Sequence, residues 1–311
     1  MFRYILRRLI LLIPVIIGVS AIVYIIMAMA PGDPAAILLG SDAKPDALAV
    51  IREELGLNDP ILVQYFRYMK NLLKGDLGLS YTSKLPVFKE YMSRFPNTFK
   101  LTVWSLFVAV VISIPIGILS AIKQYSLLDN VGMVFALAGL ATPNFWLGLL
   151  LILQFSLKWG WFPSYGATEP FAVVLPAITI GTGLTAAITR TTRSAMLEVV
   201  RQDYIRTAKA KGVGHKKVIT KHALRNALIP IVTMVCSEFG LTLAGAATTE
   251  VVFSWPGVGR LTIDAINKKD RNLAVGCLIM TAIMISICNM IMDILYAIVD
   301  PRIRIAGGKK S

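Results

Sequence analysis

EVVRQDYIRTAKAKGVGHKKVITKHALRNALIP, residues 198–230, is a polar, strongly basic stretch set between long apolar runs. Its composition suits water and that of its flanks suits hydrocarbon, so its ends mark where the chain leaves and re-enters a bilayer. Of the 311 residues, 56% are hydrophobic and 16% charged, with a mean hydropathy of +0.67, too apolar for one water-soluble domain. A helix needs roughly 20 apolar residues to cross a membrane. Working outward from the basic stretch, the runs of that kind are 9–29, 101–122, 131–157, 171–188, 228–248 and 273–299. The third holds Thr142-Pro143-Asn144 and is expected to bend or break there, since proline frees a carbonyl that neighbours must satisfy. The pattern predicts an all-α polytopic membrane protein with six transmembrane helices.

Six crossings put both termini on one side. The net charge of +14 collects on that side. It comes from Arg3, Arg7 and Arg8, from ten Lys/Arg against Glu198 and Asp203 within 190–225, and from Arg302, Arg304, Lys309 and Lys310 against Asp300. The opposite loops nearly balance. The excess therefore marks the cytoplasmic face, with both termini cytoplasmic, and nucleic acid is not needed to explain it. The N-terminus begins like a signal peptide, but its apolar run is too long and Ala28-Met29-Ala30 matches a cleavage site poorly, so it is read as the first helix. Cys236, Cys277 and Cys288 all fall inside spans, without zinc spacing or a disulfide framework, and are read as packing residues. The organisation expected is an N-terminal transmembrane helix (1–30), an external loop with short helices (31–97), a membrane core (98–299) that includes the cytoplasmic loop 190–227, and a cytoplasmic tail (300–311).

Two short helices are expected in the external loop. One runs around 45–55 and stops at Gly56; the other runs over 60–74, from Asn58-Asp59 with Pro60 in its first turn to Gly75. Ile61, Tyr65, Met69 and Leu72 share one face of the second, which should lie on the membrane surface or on the helix ends. In the basic stretch, a helix over 202–211 is followed by a glycine break and a second short helix over 215–224. Gly212 and Gly214 both permit positive φ, which allows a sharp reversal. Lys217, Lys221 and Arg225 form a basic stripe, with Val218 and Ala223 facing elsewhere. Helix–turn–helix elements also bind DNA, but a tethered regulator would normally add a soluble domain. Anionic lipid headgroups and a docking protein remain equally open as partners of this stripe.

Several motifs in chain order carry a resemblance: FRYILRR (2–8), PGDP (31–34), GDLG (75–78), PNFWLG (143–148), TTRSAMLEV (191–199), DYIRTAKAKG (203–212), HALRNAL (222–228), FSWPGVGRL (253–261) and DPRIR (300–304). With them the chain resembles the longer-loop permease subunit of bacterial dipeptide/oligopeptide/nickel ABC importers. The resemblance implies a type I ABC importer permease architecture in the bacterial inner membrane, in contact with membrane lipid. It implies a homologous second permease, two cytoplasmic ABC ATPases that bind ATP and Mg, and an external solute-binding protein. In such importers the cytoplasmic loop carries an EAA-type motif. Gly212 matches its glycine and Ala208 its last alanine, while Arg206 and Thr207 replace Glu-Ala, and the Ile-x-Leu-Pro tail is not matched at its usual spacing. The resemblance assigns ATPase coupling to Asp203, Tyr204, Arg206, Thr207, Ala208, Lys211, Gly212 and Gly214.

No Gly-x-x-x-x-Gly-Lys-Ser/Thr phosphate loop occurs, so the chain is not itself the ATPase. His215 and His222, the only histidines, have no nucleophile partner, so no catalytic residue, cofactor or metal site is expected in the chain. Intramembrane ionisable groups are costly and tend to be functional. Glu238 stands where the family often has Gln, and it is read either as bordering a path that favours ammonium groups or as sitting in close helix packing among Ser237, Gly240 and Ala244. Asp293, one turn after Asn289, is read as structural. Thr179, Thr182, Thr185 and Thr189 either line a conduit or bond back to their own helix. Thr182, Thr185 and Asn144 join Glu238 as path candidates, and Trp255, Pro256 and Gly257 are candidates for an outer gate or docking rim. Met280, Met284, Met290 and Met292 are read as packing rather than soft-metal handling. The cargo expected is a di- or oligopeptide, with nickel or a metal chelate as the alternative. An ATPase-independent channel or secondary transporter is the alternative of a different class.

Overall fold

A backbone in hydrocarbon must satisfy its own hydrogen bonds, and the apolar runs are accordingly helical. The computed structural model describes residues 2–29, 33–40 and 43–299, with side-chain surroundings from residue 10 to residue 292. Along the chain lie α1 (Phe2–Met29), α2 (Pro34–Leu39), α3 (Pro45–Glu54), α4 (Ile61–Leu72), α5 (Val87–Ile122), α6 (Leu127–Ala141) and α7 (Asn144–Leu151). A π-helical stretch, Ile152–Lys158, extends α7 and is followed by α8 (Val174–Val200), α9 (Asp203–Ala210) and α10 (His215–Lys217). A second π-helical stretch, Val218–Ala223, leads into α11 (Leu224–Gly245), α12 (Ala247–Val252), α13 (Val258–Asn267) and α14 (Arg271–Val299).

Ile10–Met29, Val87–Ile122, His215–Ala244 and Arg271–Met292 are long and apolar enough to cross a membrane. Leu127–Ala141 and Asn144–Lys158 together are as long and apolar as a span, and they are bent by 99° at the expected Thr142-Pro143 break. Helix α8, with 27 residues, reaches about 40 Å, a length that suits a crossing, although its threonines with Arg190 and Arg193 make it less apolar than the others. Phe107, Val111, Val134, Phe135, Leu153 and Leu157 project outward unburied, as side chains meant for lipid do.

Residues 1–98 and 256–287 form one compact unit. Its core packs Met27, Val87 and Tyr91 with Val258, Leu273, Ala274 and Cys277. The face of α4 seen in the sequence does find a partner: the Tyr65 hydroxyl lies 3.0 Å from Ser20 Oγ and donates to the Ile17 carbonyl at 3.2 Å, so α4 lies along α1. Ile61 stays outside this contact, and Gln64 and Tyr68 are the residues buried instead. Helix α2, not anticipated, is started by Asp33, which accepts from Ala35 N at 3.0 Å and pairs with Arg52 at 2.7 Å. Also unanticipated, α13 occupies what reads in the sequence as a plain loop.

Residues 99–255 and the described residues from 288 onward form the second unit, in which α8 packs between α6 and α11. A Cβ on Gly139 would stand 2.7 Å from the Thr182 carbonyl, and one on Gly181 would stand 2.9 Å from that of Ser105, so small residues set these close approaches. Gly240 makes room in the same way for Asn289. The side chain of Asp293 and the tail 300–311 lie outside the described residues.

Candidate functional site

The basic insert is built on a small apolar base. Ile205 and Ala208, three positions apart on α9, are buried against Met196, Val218, Ile219 and Ala223. This spacing leaves Asp203, Arg206, Thr207 and Lys211 exposed, and Tyr204 half-exposed with its hydroxyl accepting from Asn226 Nδ2 at 2.9 Å. Asp203 and Arg206 are 3.9 Å apart and fully hydrated, so their pairing contributes little. Ala208 therefore seats α9 rather than meeting an outside partner.

The turn after α9 needs only one of its two glycines. Gly212 has φ +75°, the left-handed conformation in which a Cβ is strained. There Gly212 N donates to Lys209 O at 3.0 Å and Val213 N to Ala208 O at 3.2 Å, closing the helix. Gly214 has an ordinary φ of −55°. The expected second short helix is likewise different: it continues without interruption into α11, His215–Ala244 forming one helix. A stable apolar junction at Val218, Ile219 and Ala223 removes the reason to break. Lys217, Lys221 and Arg225 remain exposed along it.

A feature that the sequence reading missed braces the same unit. Arg193 on α8 grips Asp129 on α6 with two parallel bonds, Nε to Oδ1 at 2.8 Å and Nη2 to Oδ2 at 2.7 Å. Asp129 also accepts from Tyr125 N at 3.0 Å. The only signal in the sequence was an acidic residue flanking an apolar run.

At the α6–α7 break, Thr142, Pro143, Asn144, Gly183, Leu241 and Thr242 line a cavity of about 380 Å³. Asn144 thus lines a cavity. Glu238 is half-buried one turn before Thr242, whose hydroxyl donates to the Glu238 carbonyl at 2.7 Å. Thr182 and Thr185 do not line this cavity. Their hydroxyls donate to Thr179 O and Gly181 O, both at 2.9 Å, so α8 uses them internally. Trp255 is 0% exposed and packs with Leu101, Ala177, Ile180 and Ala246, a core side chain rather than a rim. Pro256 accepts from Asn97 Nδ2 at 3.0 Å and Gly257 precedes α13. Among the described residues no cluster of His, Cys, Asp or Glu could hold a metal.

Residues 113–305 match the family described as binding-protein-dependent transport system inner membrane component, and residues 1–102 match the N-terminal family of the same membrane components. The chain belongs to this family of transport-system permeases. Among its relatives, the glutathione transport system permease protein GsiC of Salmonella paratyphi A is 40% identical over 98% of this chain and 99% of its own length. The dipeptide transport system permease protein DppB of Alkalihalophilus pseudofirmus is 41% identical over 98% of this chain and 100% of its own length. The inward-facing MetNI methionine ABC transporter covers 68% of this chain and 96% of the solved chain, with a TM-score of 0.59 at 17% identity. An amino acid ABC transporter solved with histidines covers 69% and 94%, with a TM-score of 0.52. These structures share the fold of an ABC importer permease. As a member of the family, the chain is a non-catalytic, multi-pass subunit of the bacterial inner membrane.

Proposed function

We propose that this permease carries di- or oligopeptides, peptides such as glutathione included, across the membrane in an ATP-driven importer. The observation that carries the reading is the exposed polar face of α9, held on a packed base by Ile205 and Ala208. A helix fixed in this way transmits a push instead of yielding to it. Two cytoplasmic ATPases, holding ATP and Mg, would receive this face through Asp203, Tyr204, Arg206, Thr207 and Lys211, with Gly212 fixing the turn behind it. A homologous second permease would complete the path beside Asn144 and Glu238, and a solute-binding protein would deliver cargo on the opposite side. Both termini are then cytoplasmic. The relatives are named for peptides, and scarce histidine also disfavours bare metal, so nickel is not proposed.

The test is ATP-dependent uptake of labelled dipeptide by the reconstituted importer, with nickel as the comparison. Gly212→Val should preserve assembly while reducing both uptake and stimulation of the ATPases. Uptake by the purified chain alone, without ATPases, would sink the reading.

A further inference from the structure

In the unit formed by residues 1–98 and 256–287, one guanidinium is buried with a donor unspent. Arg271 opens α14 and is only 7% exposed. Its Nη1 donates to Gln64 Oε1 at 2.6 Å, its guanidinium carbon stands 4.8 Å from the centre of the Tyr24 ring, and its buried Nε–H meets no acceptor. The carboxylates around it take their hydrogen bonds from other groups. Asp270, fully buried, accepts through Oδ2 from Ser80 Oγ at 2.6 Å, Thr82 N at 3.0 Å and Thr82 Oγ1 at 2.9 Å, and through Oδ1 from Leu273 N at 3.1 Å. Asp33 is held by Arg52 and by Ala35 N. Among the described residues no carboxylate forms an ion pair with Arg271.

A buried charge lacking a partner is strongly unfavourable. Arg271 lines a cavity of about 330 Å³ together with Met27, Ala28, Arg52, Leu57 and Asn58. An apolar floor, an amide and two guanidiniums around one engaged carboxylate give the cavity lining an excess of positive charge. The planar fork of arginine matches a planar anion of the carboxylate class.

We propose that this cavity binds a carboxylate, with Arg271 as its principal ligand. The inference rests on the peptide-importer reading only for the source of that group: the C-terminus of the cargo and an acidic side chain of the binding protein offer the same chemistry. Binding itself is tested without transport, by thermal unfolding of the assembled importer titrated with sodium acetate or acetamide at constant ionic strength. A ligand that binds the folded state alone raises Tm by mass action. Acetate should give a saturable rise and acetamide none. Arg271→Gln should abolish the rise, and Arg271→Lys, which keeps the charge but not the fork, should weaken apparent affinity about tenfold. Leu57→Phe narrows the cavity without touching the guanidinium and should also weaken the response, so the site is testable even where Arg271→Gln fails to assemble. Equal responses to acetate and acetamide, or a full acetate response in Arg271→Gln, overturn the site.

The source is read from ATP-driven uptake of a dipeptide and its C-terminal amide. Selective loss of the acid in Arg271→Gln assigns the carboxylate to the cargo. Equal loss of both, with weaker association of the binding protein, assigns it to that protein, and an unchanged profile in both measurements overturns a role in transport. Acetate binding by an importer that moves neither dipeptide would refute the proposed cargo and leave the site standing.

Discussion

Asp129 illustrates what a single side chain does in this fold. It is 2% exposed, and its two oxygens are taken by the fork of Arg193. Breaking such a pair strands the other charge, so Asp129→Asn should lower stability by about 3–5 kcal/mol. Denaturation midpoints of Asp129→Asn, Arg193→Gln and the double variant check this, because the double variant should lose less than the sum of the two. Strict additivity would show that the two groups do not depend on each other. Tyr81 gives a pH-dependent counterpart. Burial pushes its phenol from 10.0 up to about 12, against the opposing pull of Arg271. The folded state thus favours the neutral phenol. This contribution is fully present below pH 10 and is lost as the pH rises from about 10 to about 12. Wild type should therefore lose stability relative to Tyr81→Phe across that window, and a constant difference would contradict the shift. Neither residue could be assigned from the sequence, because its environment is made by segments far from it along the chain.

At the scale of elements, α9 separates holding from contacting. Ile205→Ala removes a fully buried side chain from the base and should cost about 2–4 kcal/mol, loosening the helix. Arg206→Ala alters an exposed position and should change stability by no more than about 0.5 kcal/mol, yet still reduce ATPase stimulation. Hydrogen exchange of the α9 amides, measured beside ATPase activity, distinguishes the two. Unchanged exchange in Ile205→Ala would mean that packing does not seat α9. The helix itself was legible, since its apolar spacing and glycine stop are local. The fusion of the next helix into α11 was not, because it depends on Val218, Ile219 and Ala223 finding partners on other elements. The same holds for α2 and α13, short helices whose residues alone do not compel them.

At the scale of the molecule, the distribution of charge makes a topological statement. Thr207→Cys and Lys84→Cys, both exposed, should react with a membrane-impermeant thiol reagent from opposite sides of sealed vesicles. Labelling from the same side would overturn the proposed orientation. The apolar helices, the break at Thr142-Pro143 and the loop with its glycine stop were set by the chain's own residues, since hydrophobic length, proline and glycine act over one or two turns. What awaited the tertiary structure was the duty of each polar or aromatic side chain. Trp255 lies buried in a core, and Thr185 donates to a carbonyl of its own helix. Asp129 meets Arg193 across 64 positions, and Arg271 is buried with an idle donor. A side chain's type fixes what it is able to bond, but only packing between distant segments decides which partner reaches it and whether water does.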